Sequence, residues 1–195
     1  MTTCMNEDSI REAIEHHTQM VAQFEGSAVA VITAAAEAIV QTFRQDGTLY
    51  LCGNGGSAAD AQHIAGEMVG RFRRERRALP AVALSTDTSI LTSIGNDYDY
   101  SEVFARQVEA HVHRGDLLWG LSTSGTSPNV LKAAEVAKRK GARVIAFTGK
   151  KNSKLEALAD ICLCADAEAT ARSQEIHQLA YHIICDLVER CFSEG

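Results

Sequence analysis

The chain has 195 residues with 19 basic and 25 acidic side chains, a net charge of −6, and 46% hydrophobic against 23% charged residues. That length suits one domain, and the balance of apolar and charged residues excludes a disordered chain. The acidic surplus argues against a nucleic-acid binder, which carries a basic footprint.

In chain order, residues 1–9 show no basic or apolar segment of the kind that opens a secretory signal. A first helix is expected over residues 9–24, polar on most faces. A second follows over 27–45, with Ser27 as N-cap and Gly47 as its end. The stretch 26–43 is alanine-rich but carries Ser27, Thr33, Glu37, Gln41 and Thr42, which excludes a membrane span. Residues 48–52 form a short β-rich run, and further apolar runs follow at 81–84, 117–121, 144–147 and 161–164. Helical patterns lie between and after them, at 58–72, 102–113, 129–140 and 170–192. Continuous apolar strands alternating with helices predict a parallel sheet covered on both faces, hence an α/β three-layer sandwich. Residues 1–46 are expected to form an N-terminal helical arm and 47–195 the main domain. Cys4, Cys52, Cys162, Cys164, Cys185 and Cys191 form no CxxC pair, which predicts reduced thiols in a cytoplasmic protein.

In a parallel sheet ligands sit beyond the carboxyl ends of the strands, so the residues after each apolar run matter most. After the first run comes Gly53-Asn54-Gly55-Gly56-Ser57, opening a helix. Its glycines let a backbone approach a ligand, and free amides at a helix start attract anions. A dinucleotide fingerprint would need an acidic residue at the end of the next strand, and Asp87 lies too far along. After the third run, Ser122-Thr123-Ser124-Gly125-Thr126-Ser127-Pro128 sets Ser127 at an N-cap and Pro128 at the first helical position. An ordinary cap needs one hydroxyl. This loop has more, and hydroxyls with backbone amides hold a phosphate without lysine.

Two side-chain pairs carry further chemistry. His63 and Glu67 are four apart on one helix face, which suits half a metal site, an acid/base pair or a surface hydrogen bond alike. On the last helix, Gln174 and His182 lie roughly 80° apart around the axis and can face one cavity. Ile176, Leu179, Ile183 and Leu187 are expected to form that helix's packing stripe.

The motifs together resemble the sugar isomerase (SIS) domain family, and within it the sedoheptulose-7-phosphate isomerases. The resemblance runs over nearly the whole chain. It rests on residues 52–57, on His63-x-x-x-Glu67 with Gly70-Arg71, and on Gly95-Asn96-Asp97. It continues through residues 122–127, Thr148-Gly149-Lys150, and Gln174-Glu175-Ile176-His177 with His182.

The resemblance implies a flavodoxin-like five-stranded parallel sheet and a homotetramer with active sites at subunit interfaces. It also implies conversion of sedoheptulose 7-phosphate to D-glycero-D-manno-heptose 7-phosphate, an early step toward bacterial surface polysaccharide. Carried over by position, Asn54, Gly55, Gly56, Glu67, Asn96, Asp97 and Gln174 would contact the sugar. Ser122, Thr123, Ser124 and Ser127 would hold its phosphate. One zinc per subunit would sit on His63, Glu67, Gln174 and His182, with Glu67 and His182 as the acid/base pair. The alternative is a non-catalytic scaffold of the same fold that associates with the DnaA replication initiator. Neither nucleic acid nor membrane is expected as a partner. The chain departs from the family's pattern at Thr126, Pro128 and the turn Lys150-Lys-Asn-Ser. The run Arg71, Arg73, Arg74, Arg76, Arg77 is read mostly as a solvated face, Arg71 alone matching a motif. His16, His17, His111 and His113 are read as surface.

Overall fold

The computed structural model describes residues 6–193; Cys4 lies outside them. The apolar runs become five parallel strands: β1 (Leu49–Gly53), β2 (Ala81–Ala83), β3 (Leu117–Ser122), β4 (Arg143–Thr148) and β5 (Ile161–Cys164). They lie in the order β2-β1-β3-β4-β5. Leu51 pairs with Ala83 on one side and Trp119 on the other, and Phe147 stands between Leu121 and Leu163. Every residue of the central β3 is buried. Alternation divides the sheet into two faces. Leu49, Leu51, Trp119, Ile145, Phe147 and Leu163 face a layer built by α1, α2 and α7. Cys52, Leu118, Val144 and Ala146 face the layer of α4, α5 and α6. The expected three-layer sandwich is therefore present.

The helices are α1 (Glu7–Arg44), α2 (Gly56–Val69), α3 (Thr88–Asp97), α4 (Ala105–His111), α5 (Pro128–Arg139), α6 (Lys154–Leu158) and α7 (Thr170–Arg190). Two helices were expected before β1. The chain instead runs as one helix span bent by 71° between Glu7–Gly26 and Ala28–Arg44. A glycine–serine pair is a usual place for such a kink, because glycine disfavours a straight helix. Whether Ser27 caps the second half lies outside the described side chains. Beyond the bend, Ile32, Ala35, Ala36, Ile39 and Phe43 recur at helical spacing and are buried in the core.

Three local features depart from expectation. Helix α3 was not foreseen; Asp87 starts it by accepting from the Ile90 amide at 2.9 Å. The single helix expected over 102–113 divides into a 3₁₀ turn, Tyr100–Glu102, and α4. On α7 the buried stripe is Ile176, Ala180, Ile184 and Val188. Of the expected stripe only Ile176 is buried; Leu179, Ile183 and Leu187 line a groove with Val21, Ala28 and Val29 of α1. Among the described residues no single helix is long and apolar enough to cross a membrane.

Candidate active site

Where β1 meets its neighbours the strand order reverses direction, and the loops after β1 and β3 open at this switch point. Gly55 takes φ +55° and stands at the N-cap of α2, with no side chain capping the helix. The Ser57 and Ala58 amides turn back onto the Asn54 and Gly55 carbonyls at 3.0 and 3.1 Å, which tightens the loop into the helix start. A Cβ on Gly56 would collide with the carboxamide of Gln174, which lies directly over the loop.

The serine loop is arranged for the same task. Ser127 is at the N-cap of α5, yet its hydroxyl makes no capping bond. It pairs instead with the Ser122 hydroxyl at 2.9 Å, and Ser122 reaches Ser124 at 3.3 Å. Gly125 turns the loop at φ +64°, and the Thr123 carbonyl accepts from the Gly149 amide at 3.0 Å. The result is a ring of hydroxyls above an uncapped helix start, where a phosphate would find both donors and a favourable dipole. The two loops are clasped together. The Asn54 amide donates to Asn129 at 2.9 Å and the Asn129 amide donates back at 2.8 Å, while Tyr100 adds a hydroxyl 3.4 Å from Asn54. Asn96 and Asp97 lie at the exposed end of α3, bonded to each other at 2.9 Å.

Helices α2 and α7 both run back from the sheet's carboxyl edge, side by side. Gln174 stands at Gly56, and about 10 Å of helix rise further along α2 His182 meets His63. The His63 and His182 rings are 5.0 Å apart, and His63 Nε2 is 3.1 Å from a Glu67 oxygen. One ligand atom from each of His63, Glu67 and His182 lies within 4.8 Å of the other two. Donors around a tetrahedral zinc stand about 3.4 Å apart, so small side-chain rotations would close this cluster on a metal. Two imidazoles and a carboxylate are donors zinc accepts. Burial, with the neighbouring His63, lowers the His182 pKa against the opposing pull of Glu67. His182 is therefore neutral near pH 7, free to bind a cation or accept a proton.

A SIS domain family model matches residues 14–149. The phosphoheptose isomerase of Roseiflexus sp. (strain RS-1) is 55% identical over 164 residues, covering 84% of this chain and 83% of that protein. That of Geobacter sp. (strain M21) is 49% identical over 183 residues, covering 94% and 95%. The solved structure of phosphoheptose isomerase GmhA from Neisseria gonorrhoeae superposes with a TM-score of 0.89 at 41% identity, covering 94% of this chain and 98% of that one. The chain belongs to the phosphoheptose isomerase family of SIS-domain proteins.

Within this phosphoheptose isomerase fold, several residues that sequence reasoning undervalued prove structural. Glu189 is buried and accepts three backbone amides, from Phe72, Arg73 and Arg74, at 2.7, 2.7 and 2.8 Å. Those bonds hold its pKa below the ordinary carboxylate range although burial opposes them. The loop so fixed stacks Phe72 on His182, with 5.8 Å between ring centroids. The arginine run is not simply a solvated face. Arg74 pairs with Asp186 at 2.7 Å, and Arg76 caps α2 by donating to the Glu67 carbonyl at 2.6 Å. The Arg74 partner lies on α7, too distant in sequence to be read from the run itself. His17, expected on the surface, bonds Glu175 at 2.7 Å and ties α1 to α7. The Cys52 thiol beside the glycine loop is buried and pushed up to about 12, which removes it as a nucleophile.

Proposed function

We propose that this chain interconverts sedoheptulose 7-phosphate and D-glycero-D-manno-heptose 7-phosphate through an enediol. Ser122, Thr123, Ser124 and Ser127 hold the phosphate, at the positive end of the α5 dipole. Asn54, Gly55, Gly56, Asn96, Asp97 and Gln174 orient the sugar. The isomerisation moves a proton between adjacent carbons: Glu67 takes one from the first carbon, His182, having taken up a proton from solvent, gives one to the second, and Glu67 releases its own to solvent to reset the pair. His63, Glu67 and His182 would hold one zinc per subunit, whose chemistry is to polarise the sugar's carbonyl oxygen, and Gln174 would join them only by swinging its carboxamide away from Gly56. The protein acts in the cytoplasm as a homotetramer with its sites at subunit interfaces. The exposed Ile10, Ile14, Val29 and Ile183 support such burial between copies.

The observation that carries this reading is the meeting of His182 on α7 with His63 and Glu67 on α2. The non-catalytic DnaA-scaffold alternative is not favoured, since it needs neither that carboxylate nor that imidazole. Purified protein supplied with sedoheptulose 7-phosphate should yield the aldose, followed by NMR of the sugar. Metal content measured on the same preparation should give one zinc per chain. Absence of the aldose from folded, metal-replete protein would refute the assignment.

A further inference from the structure

Behind the three-residue cluster is a second line of polar groups that the reaction scheme does not use. His63 has two ring nitrogens, and Nε2 faces Glu67. Nδ1 lies 3.0 Å from the hydroxyl of Tyr181, a side chain fully buried between α2 and α7. The same hydroxyl donates to Asp60 Oδ1 at 3.5 Å. The other Asp60 oxygen is buried with no hydrogen-bond partner. A hydroxyl has one proton to give. Spent on His63, it would leave the half-buried Asp60 carboxylate without this donor at Oδ1 when its buried Oδ2 is already unpaired, which is costly. Spent on Asp60, it leaves the tyrosine oxygen to accept the proton of His63 Nδ1.

We propose that Asp60 and Tyr181 form a positioning relay for His63. Asp60 Oδ1 accepts from Tyr181, and Tyr181 Oη accepts from His63 Nδ1–H. With a cation between Nε2 and Glu67, the imidazole is thereby held in the tautomer whose bare Nε2 lone pair faces that ion; without one, the Glu67 carboxylate 3.1 Å from Nε2 competes for the ring's single proton. A metal-binding histidine takes its tautomer and ring orientation from the partner of its other nitrogen. Asp60 is one helical turn before His63 on α2, so both ends of the relay are anchored on the helix that presents the ligands. Neither Asp60 nor Tyr181 touches the reacting atoms; both act through His63. The inference rests on the metal reading given above.

The test measures Zn²⁺ affinity by competition with a chromophoric chelator for the wild type, Tyr181→Phe, Asp60→Asn and the double variant. Each single change should weaken zinc binding by about 10- to 100-fold. The double variant should be no worse than the weaker single, because both interrupt one relay. Near-ultraviolet circular dichroism verifies that the tyrosine ring's packing survives in the phenylalanine variant. Zinc affinity within twofold of wild type in both single variants, or losses that add in the double, would overturn the proposal. Nitrogen-15 NMR of His63 as the neutral imidazole provides an independent readout in metal-free Glu67→Ala protein, where the competing carboxylate is gone. That background should show Nδ1–H, and adding Tyr181→Phe should lose that preference. An Nε2–H imidazole there sinks the relay. A wild type that binds no zinc beside an Nδ1–H imidazole in Glu67→Ala sinks the metal reading alone.

Discussion

The serine loop and the α2–α7 cluster do different work and are built differently. The loop is made of neighbours in sequence: Ser122, Ser124 and Ser127 bond one another across a single glycine turn. Its geometry follows from a strand end, a left-handed glycine and a proline-started helix, all local rules. The cluster joins groups 118 positions apart, as in the contact of His63 with Tyr181, and exists only because two helices lie side by side. The loop should therefore survive perturbation of the packing, whereas the cluster should not. Binding and chemistry ought to be separable by mutation.

The largest expected effect strikes the cluster alone. Glu67→Gln should cut turnover by about 10²- to 10⁴-fold, with the KM for the sugar phosphate changed far less. Equal losses in both parameters would mean that the two regions are not independent. Next, Glu189→Gln sets an amide group against backbone N–H donors that the carboxylate now accepts. A loss of about 2–4 kcal/mol is expected in urea unfolding, and the residual folded enzyme should show reduced turnover because Phe72 no longer supports His182. A pH series sharpens the picture. His177 is buried, donates to the Thr148 carbonyl at 3.0 Å, and has its pKa lowered to about 4, chiefly by burial. The unfolded chain takes up its proton near pH 6.5, so stability is full above that value. It then declines by roughly 3 kcal/mol as pH falls to about 4. In His177→Gln the urea midpoint should lose this slope between pH 6.5 and 4, while the loss below pH 4.5 that comes from Glu189 persists. The smallest effect belongs to the loop: Ser127→Ala should raise KM about tenfold, as for one hydrogen bond to a charged group, with kcat nearly unchanged.

This division also decides what could be read before the structure was known. The parallel sheet and its two motif-bearing loops follow from apolar runs and from glycine and hydroxyl residues at their ends, whereas the strand order follows only from the family resemblance. So does the pairing of His63 with Glu67, which one helical turn sets. Helix α3 escaped because Thr88, Ile90 and Thr92 are β-branched, although Asp87 followed by an apolar segment was a readable start. The bend in α1 reads as a break in the sequence, since glycine followed by serine weakens a helix whether it bends or ends there. The buried side of α7 was misjudged because two apolar stripes compete there, and nothing local says which one the sheet will cover. Glu189, Arg76 and Asn129 were invisible for a plainer reason. Each is defined by a partner that only the fold brings near.

Gly56 shows how far one absent atom can reach. The room it leaves at the start of α2 is taken by the Gln174 carboxamide, from the far end of the chain. A methyl group there would push that amide aside or make α7 retreat. Substitutions at these two positions are thus expected to be coupled, since the room one leaves is the room the other uses. A glutamine has, in effect, taken the place of a side chain on a residue more than half the protein away.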